Sequence, residues 1–523
     1  MKIINFFNRL NNLSKVIVFS IVVLGFFFIL IGNIHELFEL PKGIHAWKQS
    51  MHFSIVKNYA EGFSNFFQPM MDNLFNQDNT GNLIQEFPIL NYIASFFFKD
   101  FPFSLKIINT IIFLIGLYFT FRLCNLFISD WILSLLITLN LMFIPVIFYY
   151  GISYIVDVSA LFIGIMSVYF HQIFKEKRNK LYLFLSFSFF TLAGLIRLPV
   201  IIFPLSYFIL EFITNFNLKI LLYFLGALIV IILWYLYVAK HNHYYISTPK
   251  ELCYFLIDEK SKLDALNKIN DFQKYQIGYT NSSIFYFIIF SIILLLFKSN
   301  VNKYLLFITI INFTLSLLYF LLWFLIFKEH DYYILPIIPS FLLLWILLSN
   351  TLINYKFKFV YLIFILITII NLIYSIENIR SRLFVSYPNL KISLMNDFEK
   401  GIHWWMSMED KNKWKHVRDI SPYKKNNILS KHGIKLNDTA IVCFDETPTC
   451  VLSILGLKGW SNYNGIDFNN FEHIKIKVKN GAKYLIAYGI KPISSDLKFD
   501  SILKSNLVLN RDSIYIYNIQ HLR

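Results

Sequence analysis

Long apolar runs separated by short polar connections dominate the chain. Residues 16–34, 103–121, 131–149, 152–173, 181–196, 198–213, 219–239, 281–297, 303–327, 332–349 and 358–376 each read as a membrane-spanning helix, about eleven crossings by the hydropathy rule. The run PILNYIASFFF (88–98) is too short to cross a hydrocarbon core about 30 Å thick at 1.5 Å per residue. It predicts an interfacial or re-entrant helix, closed by Lys99 and Asp100. Two polar stretches interrupt the runs, at 35–88 and at 240–280, the second with a helical pattern around 259–274. In the first, His45, Lys48, Gln49 and His52 recur at i, i+3, i+4 and i+7 and share one helix face. From Glu377 onward charged residues become frequent and apolar runs shorten. TAIVCF (439–444), KYLIAYG (483–489) and SIYIYNI (513–519) read as strands, with VLSILGL (451–457) as a helix between the first two. The predicted fold class is a polytopic α-helical membrane protein with a small C-terminal α/β domain. Residues 1–376 form the transmembrane module, and residues 377–523 the soluble domain outside the cytoplasm.

Composition agrees with that reading. Of 523 residues, 56% are hydrophobic and 15% charged, with 57 Phe and 32 Tyr, more apolar surface than a soluble fold can hide. The net charge of +16 does not mark a nucleic-acid partner, because the cations sit at the ends of apolar runs. Lys2, Arg9 and Lys15 before the first run place the N-terminus in the cytoplasm, and no small-residue cleavage site follows Gly25 to Gly32. Counting onward, Arg122, Lys175, Lys177, Arg178, Lys180, Lys219, Lys298, Lys303, Lys356 and Lys358 fall in cytoplasmic connections. The short outer ones hold only Arg197 and Lys328. An odd number of crossings then puts the C-terminal domain outside. Cys124, Cys253, Cys443 and Cys450 lack zinc-site spacing; Cys443 and Cys450 are near enough to pair in an oxidising compartment, and free thiols are the plainer reading. No Gly-rich phosphate loop follows a strand, and no internal repeat is present.

Ionisable groups at membrane depth need a reason. Asp157 is either a helix-start carboxylate near water or a functional group. Arg197, between two runs, either snorkels to the interface or meets a lipid phosphate. His330 and Asp331 open the turn KEHDYYILPIIP, where His330 suits an anion and Tyr332 and Tyr333 suit an aromatic belt. In the first polar stretch, Glu86 and Asp72 are the candidates for a general base or cation ligand, while Asp72 and Asp78 also suit plain turns. His45 and His52 lack the third ligand a catalytic metal needs, so hydrogen bonding to substrate is their better use.

In combination these motifs resemble the GT-C glycosyltransferases, in particular the protein O-mannosyltransferase and lipid A aminoarabinose transferase (ArnT-like) group, over roughly residues 15–375. QEFPILNYIASFFF resembles that group's acidic residue before a proline-containing helix, at Glu86. SYIVDVSALFIG resembles its Asp-containing helix start at Asp157, GLIRLP its basic-Pro step at Arg197, and HDYYILPIIP its Tyr-Leu-Pro turn. Lys48 and Gln49 stand where the group has an acidic pair. The resemblance implies a bacterial inner-membrane enzyme with its C-terminal domain in the periplasm. It would move a sugar from a polyprenyl-phosphate donor to a hydroxyl on a lipid, glycan or protein acceptor by a single inverting displacement. Under it, Glu86, Asp72, His45 and Gln49 are the catalytic candidates, with the base coming from Glu86, Asp72 or His45. Lys48, Asp157, Arg197, His330, Asp331 and Tyr333 bind the donor phosphate or substrate. The resemblance fixes no cofactor, and a divalent cation held by loop carboxylates is left open. Glu86, Asp157, Arg197 and His330 are expected to line one cavity. The rival readings are a flippase for a lipid-linked glycan and a non-catalytic membrane protein that binds glycan.

Overall fold

The computed structural model describes residues 12–76, 78–241, 249–276, 301–328, 330–354, 359–383, 416–424, 427–443, 445, 447–465, 470–488, 501, 503–511 and 514–522. These residues fall into two compact units. One comprises residues 1–36, 109–239 and 246–401; the other comprises residues 37–108, 240–245 and 402–523.

The first unit is helical. Its elements are α1 (Asn12–Ile31), most of α4 (Ser104–Ile128), α5 (Trp131–Met142), α6 (Pro145–Gly151), α7 (Asp157–Lys177), α8 (Lys180–Ile196), α9 (Ile202–Thr214), α10 (Leu218–His241), α11 (Glu259–Gln276), α12 (Lys303–Leu322), α13 (Ile338–Asn354) and α14 (Val360–Arg382). Between α1 and α4 the chain forms α2 (Ala46–Ala60) and α3 (Ile89–Phe98) of the second unit. Seven helices among the described residues are long and apolar enough to cross a membrane, and eight if α5 and α6 count as one span. That pair is bent by 74°. The break follows from Ile144, extended at ψ 112°, ahead of Pro145, which fits only the first turn of the helix it opens. Helices α8 and α9 are shorter than a full crossing, and the run 281–297 lies outside the described residues. The expected count of about eleven is therefore not reached among the described residues.

Burial separates the helices of this unit. The apolar window of α7 is 89% buried, whereas that of α10 is 22% buried, so α10 turns an apolar face outward as a lipid-facing helix does. Small polar residues join the buried helices. Ser159 Oγ donates to Asn109 Oδ1 (2.7 Å), Ser340 Oγ to Asn312 Oδ1 (2.7 Å), and Asn371 Nδ2 to Asn140 Oδ1 (2.6 Å). In an apolar surround such bonds hold helices in register, because their alternative is an unsatisfied polar group.

The second unit joins the first polar stretch to the C-terminal sheet. Strands β1 (Thr439–Cys443), β2 (Lys458–Ser461), β3 (Tyr484–Tyr488), β4 (Leu507–Arg511) and β5 (Ile514–Asn518) lie in the order β2-β1-β3-β5-β4. β1 is parallel to both β2 and β3; β5 is antiparallel to β3 and to β4. Helix α15 (Cys450–Leu455) connects β1 to β2, and α16 (Phe471–Lys479) precedes β3, as parallel pairing requires. All four cysteines are buried free thiols.

The edge strand β2 does not end the sheet. Gly459 N donates to Asp72 O (3.0 Å) and Leu74 N to Gly459 O (2.7 Å), so residues 72–74 add a short parallel rung. Asn73 fastens that rung through Nδ2, which donates to Pro448 O and to Ser461 Oγ. Gly459 is at φ 143°, and a Cβ there would lie 1.8 Å from Ala440 O. Gly459→Ala is expected to destabilise this unit by at least about 2 kcal/mol. Thermal unfolding in detergent checks it against Gly226→Ala, an open site on α10 that should cost nothing.

Candidate functional site

In the membrane-spanning unit, the sequence candidates gather around one ion pair. Arg197 ends α8 in an extended conformation (φ −151°) two residues before Pro199, and Asp157 is the first residue of α7. Arg197 Nε lies 2.8 Å from Asp157 Oδ1; the carboxylate is 2% exposed and the arginine side chain 17%. The guanidinium carbon stands 4.7 Å from the Tyr333 ring centroid and 5.8 Å from that of Tyr332. His330 stacks on the same two rings at 5.8 and 5.5 Å. Asp157, Arg197, His330 and Tyr333 are thus one cluster.

Asp331 faces elsewhere. It opens the 3-10 turn Asp331–Ile337, and its Oδ2 lies 2.6 Å from Arg382 Nη1 while its Oδ1 accepts from Tyr150. Both charged side chains are 1% exposed. This pair anchors the turn that presents His330, Tyr332 and Tyr333.

In the second unit the candidates form two further pairs. Lys48 Nζ lies 2.7 Å from Glu86 Oε1, with side chains 6% and 12% exposed. Lys57 Nζ lies 2.7 Å from Asp72 Oδ1 with both side chains fully buried, and Asn58 Nδ2 donates to the same oxygen (3.1 Å). Gln49 is engaged locally, its Nε2 donating to Lys42 O (2.8 Å) and Ile44 O (3.1 Å). His45 precedes α2 in the left-handed region (φ 53°), buried beside Trp47. His52 Nδ1 lies 3.2 Å from Asn91 Nδ2. Among the described residues no three His, Cys, Asp or Glu side chains come together as metal ligands. The cation option has no ligand set there.

Arg382, Tyr150 and Lys57 were missing from the sequence reading. Arg382 was missed because hydropathy ends the last run at 376, whereas α14 continues one and a half turns into charged sequence. Lys57 carried a signal, a lone cation in the apolar stretch SIVKNYA.

Neither a protein-family model nor a curated protein sequence matches the chain. Among solved structures, ArnT from Cupriavidus metallidurans in the apo state is similar over 97% of this chain and 98% of its own (TM-score 0.53, 11% identity). The same protein bound to undecaprenyl phosphate is similar over 98% and 99% (TM-score 0.55, 11% identity). The Archaeoglobus fulgidus oligosaccharyltransferase in complex with Zn and sulfate is similar over 90% and 68% (TM-score 0.48, 15% identity). The chain therefore shares the fold of ArnT.

Two expectations follow for the second unit. Asp72→Asn leaves Lys57 buried without its carboxylate partner, which costs about 3–5 kcal/mol. The double change Lys57→Met with Asp72→Leu should recover most of it, as read by thermal unfolding in detergent. A purely catalytic Asp72 would instead lose activity without losing stability.

Lys458, on β2, has its basicity lowered from the usual 10.5 to about 8, by burial first and by Lys57 next, against the opposing pull of Asp72 and Glu61. Between those values the unfolded chain binds a proton that the folded chain does not, so stability rises with pH across that window. Below pH 8 the cost is fully present. Lys458→Met should be more stable than the parent at pH 7, with the gap closing as pH rises toward 10.5.

Proposed function

We propose that this chain is an integral-membrane glycosyltransferase that moves a sugar from a polyprenyl-phosphate donor to an acceptor hydroxyl, with inversion, on the periplasmic side of a bacterial inner membrane. The observation that carries the reading is the Arg197 cluster: a partly exposed guanidinium, held by Asp157 and flanked by His330 and Tyr333, at the end of an apolar helix. Such a cation suits a phosphate carried at the level of the lipid headgroups. The fold shared with ArnT, which has been seen with undecaprenyl phosphate, points to the same class of donor.

In this reading the acceptor oxygen attacks the anomeric carbon while the bond from that carbon to the phosphate oxygen breaks. The electron pair leaves with the phosphate, whose growing charge Arg197 and His330 offset. Glu86 takes the acceptor proton. The acceptor class is carried by no described residue, and the C-terminal sheet is assigned no catalytic role.

Glu86→Gln is expected to lower sugar transfer at least about a hundredfold while leaving polyprenyl-phosphate binding intact. Arg197→Gln should weaken that binding. Transfer from a labelled polyprenyl-phosphate sugar, with lipid binding measured in parallel, checks both. Unchanged transfer in Glu86→Gln removes Glu86 as the base, and unchanged binding in Arg197→Gln removes the phosphate site.

A further inference from the structure

The helical unit carries cations at the end of α7 away from the Arg197 cluster, and they are not all matched. Asp157 and Lys177 are the first and last residues of α7. A helix of 21 residues rises about 30 Å, the thickness of a bilayer core, so its two ends belong to opposite leaflets. At the far end Lys175 is satisfied: its Nζ lies 2.8 Å from Glu211 Oε2 and donates to Tyr304 Oη (3.1 Å). Arg122 of α4 and Lys177 meet rings instead. Arg122 Nη1 donates to Tyr118 Oη (3.0 Å), and its guanidinium carbon stands 5.9 Å from the centroids of both Tyr118 and Tyr169. Lys177 Nζ stands 5.6 Å from the Tyr182 centroid. Arg122 is half-buried and Lys177 exposed, and among the described residues neither has a carboxylate partner; Glu176, also exposed, pairs with neither.

Aromatic rings join the two cations. Centroids run from Tyr169 to Phe119 (5.2 Å), from Phe119 to Phe170 (5.5 Å) and from Phe170 to Tyr182 (6.3 Å). Next to these rings α4 exposes Ile111 and Ile115 on the stripe that leads to Tyr118 and Arg122, and α8 exposes Leu181 and Phe184. A cation that serves only to orient a span stands open at a helix end, as Lys219 and Lys303 do at the starts of α10 and α12. Arg122 stands more than a turn inside the end of α4 and is held between two rings.

We propose that α4, α7 and α8 bind one anionic phospholipid of the leaflet opposite the Arg197 cluster, its phosphate on Arg122 and Lys177 and its acyl chains on the aromatic floor between them. Charge selects the occupant: two cations without a carboxylate attract an anionic headgroup over a zwitterionic one. Bound there, the lipid fastens α4 to the α7–α8 hairpin, a contact separate from the transfer chemistry.

Full-length protein in detergent is mixed with equal amounts of phosphatidylglycerol and phosphatidylcholine, and retained lipid is counted by native mass spectrometry. The parent should keep one phosphatidylglycerol, and Arg122→Gln with Lys177→Gln should lower that retention at least about fivefold. Lys219→Gln with Lys303→Gln removes the same charge from exposed helix starts and should leave retention unchanged. Equal loss in the two pairs, or equal retention of the two lipids by the parent, overturns the proposal. Displacement of the phosphatidylglycerol by added polyprenyl phosphate or by dimer formation overturns it too, since either gives this face to another occupant. If the double variant does not fold, Lys177→Gln alone carries the test from an exposed position: lowered retention is expected, and unchanged retention overturns the site.

Discussion

Asp157 and Arg197 show the constraint under which this protein is built: a charge taken into an apolar interior has to bring its partner from another element. Asp157 comes from the start of α7 and Arg197 from the end of α8, and their pairing fixes where one helix begins against where the next stops. Asp331 and Arg382 do the same for the turn before α13 and the end of α14, with Tyr150 of α6 as a third member. A single buried ion would cost several kcal/mol, which two well-placed partners return only with good geometry. Short distances at all four pairs meet that condition.

Exposure separates framework from chemistry within this set. Arg382 is 1% exposed with its partner equally buried, so no ligand reaches it without breaking the pair. Its work is to hold the turn that carries His330 and Tyr333. Arg197 makes a similar bond yet is 17% exposed and lies against two tyrosine rings, which leaves its charge within reach of an anion. Of two arginines at the ends of apolar helices, the less enclosed one is the binding candidate.

The apolar runs were legible because a membrane helix is written in consecutive residues: each expected span within the described residues appears as helix, although α5 and α6 break before Pro145 and α8 and α9 are short. The strands at 439–443, 484–488 and 514–518 were legible for the same reason, being alternating or continuous apolar runs. β2 was not, because its four residues include Gly459, which weakens any strand pattern. The rung formed by residues 72–74 on β2 had no local signature at all. Its bonds join backbone groups far apart in the chain, and a polar loop without alternation does not announce a sheet partner. Of the candidate site, residue types were readable one by one, and the resemblance picked out Asp157, Arg197 and the turn at 330. What was not readable was pairing: that Asp331 turns to Arg382 rather than to Arg197, and that Asp72 is matched by Lys57.

That difference in pairing also ranks the two carboxylates considered for the base. Each has an ammonium 2.7 Å away. Asp72 is closed to an acceptor: it is fully buried, and Lys57 and Asn58 both bind its Oδ1. Its backbone carbonyl is at the same time part of the rung on β2, so moving the residue would disturb the sheet edge. Glu86 is bound by Lys48 through one oxygen, stands just ahead of Pro88 and α3, and is 12% exposed, enough for an acceptor hydroxyl to approach. The Lys48 that departs from the acidic pair of the resembling group is thus the residue that fixes the Glu86 carboxylate in place ahead of α3.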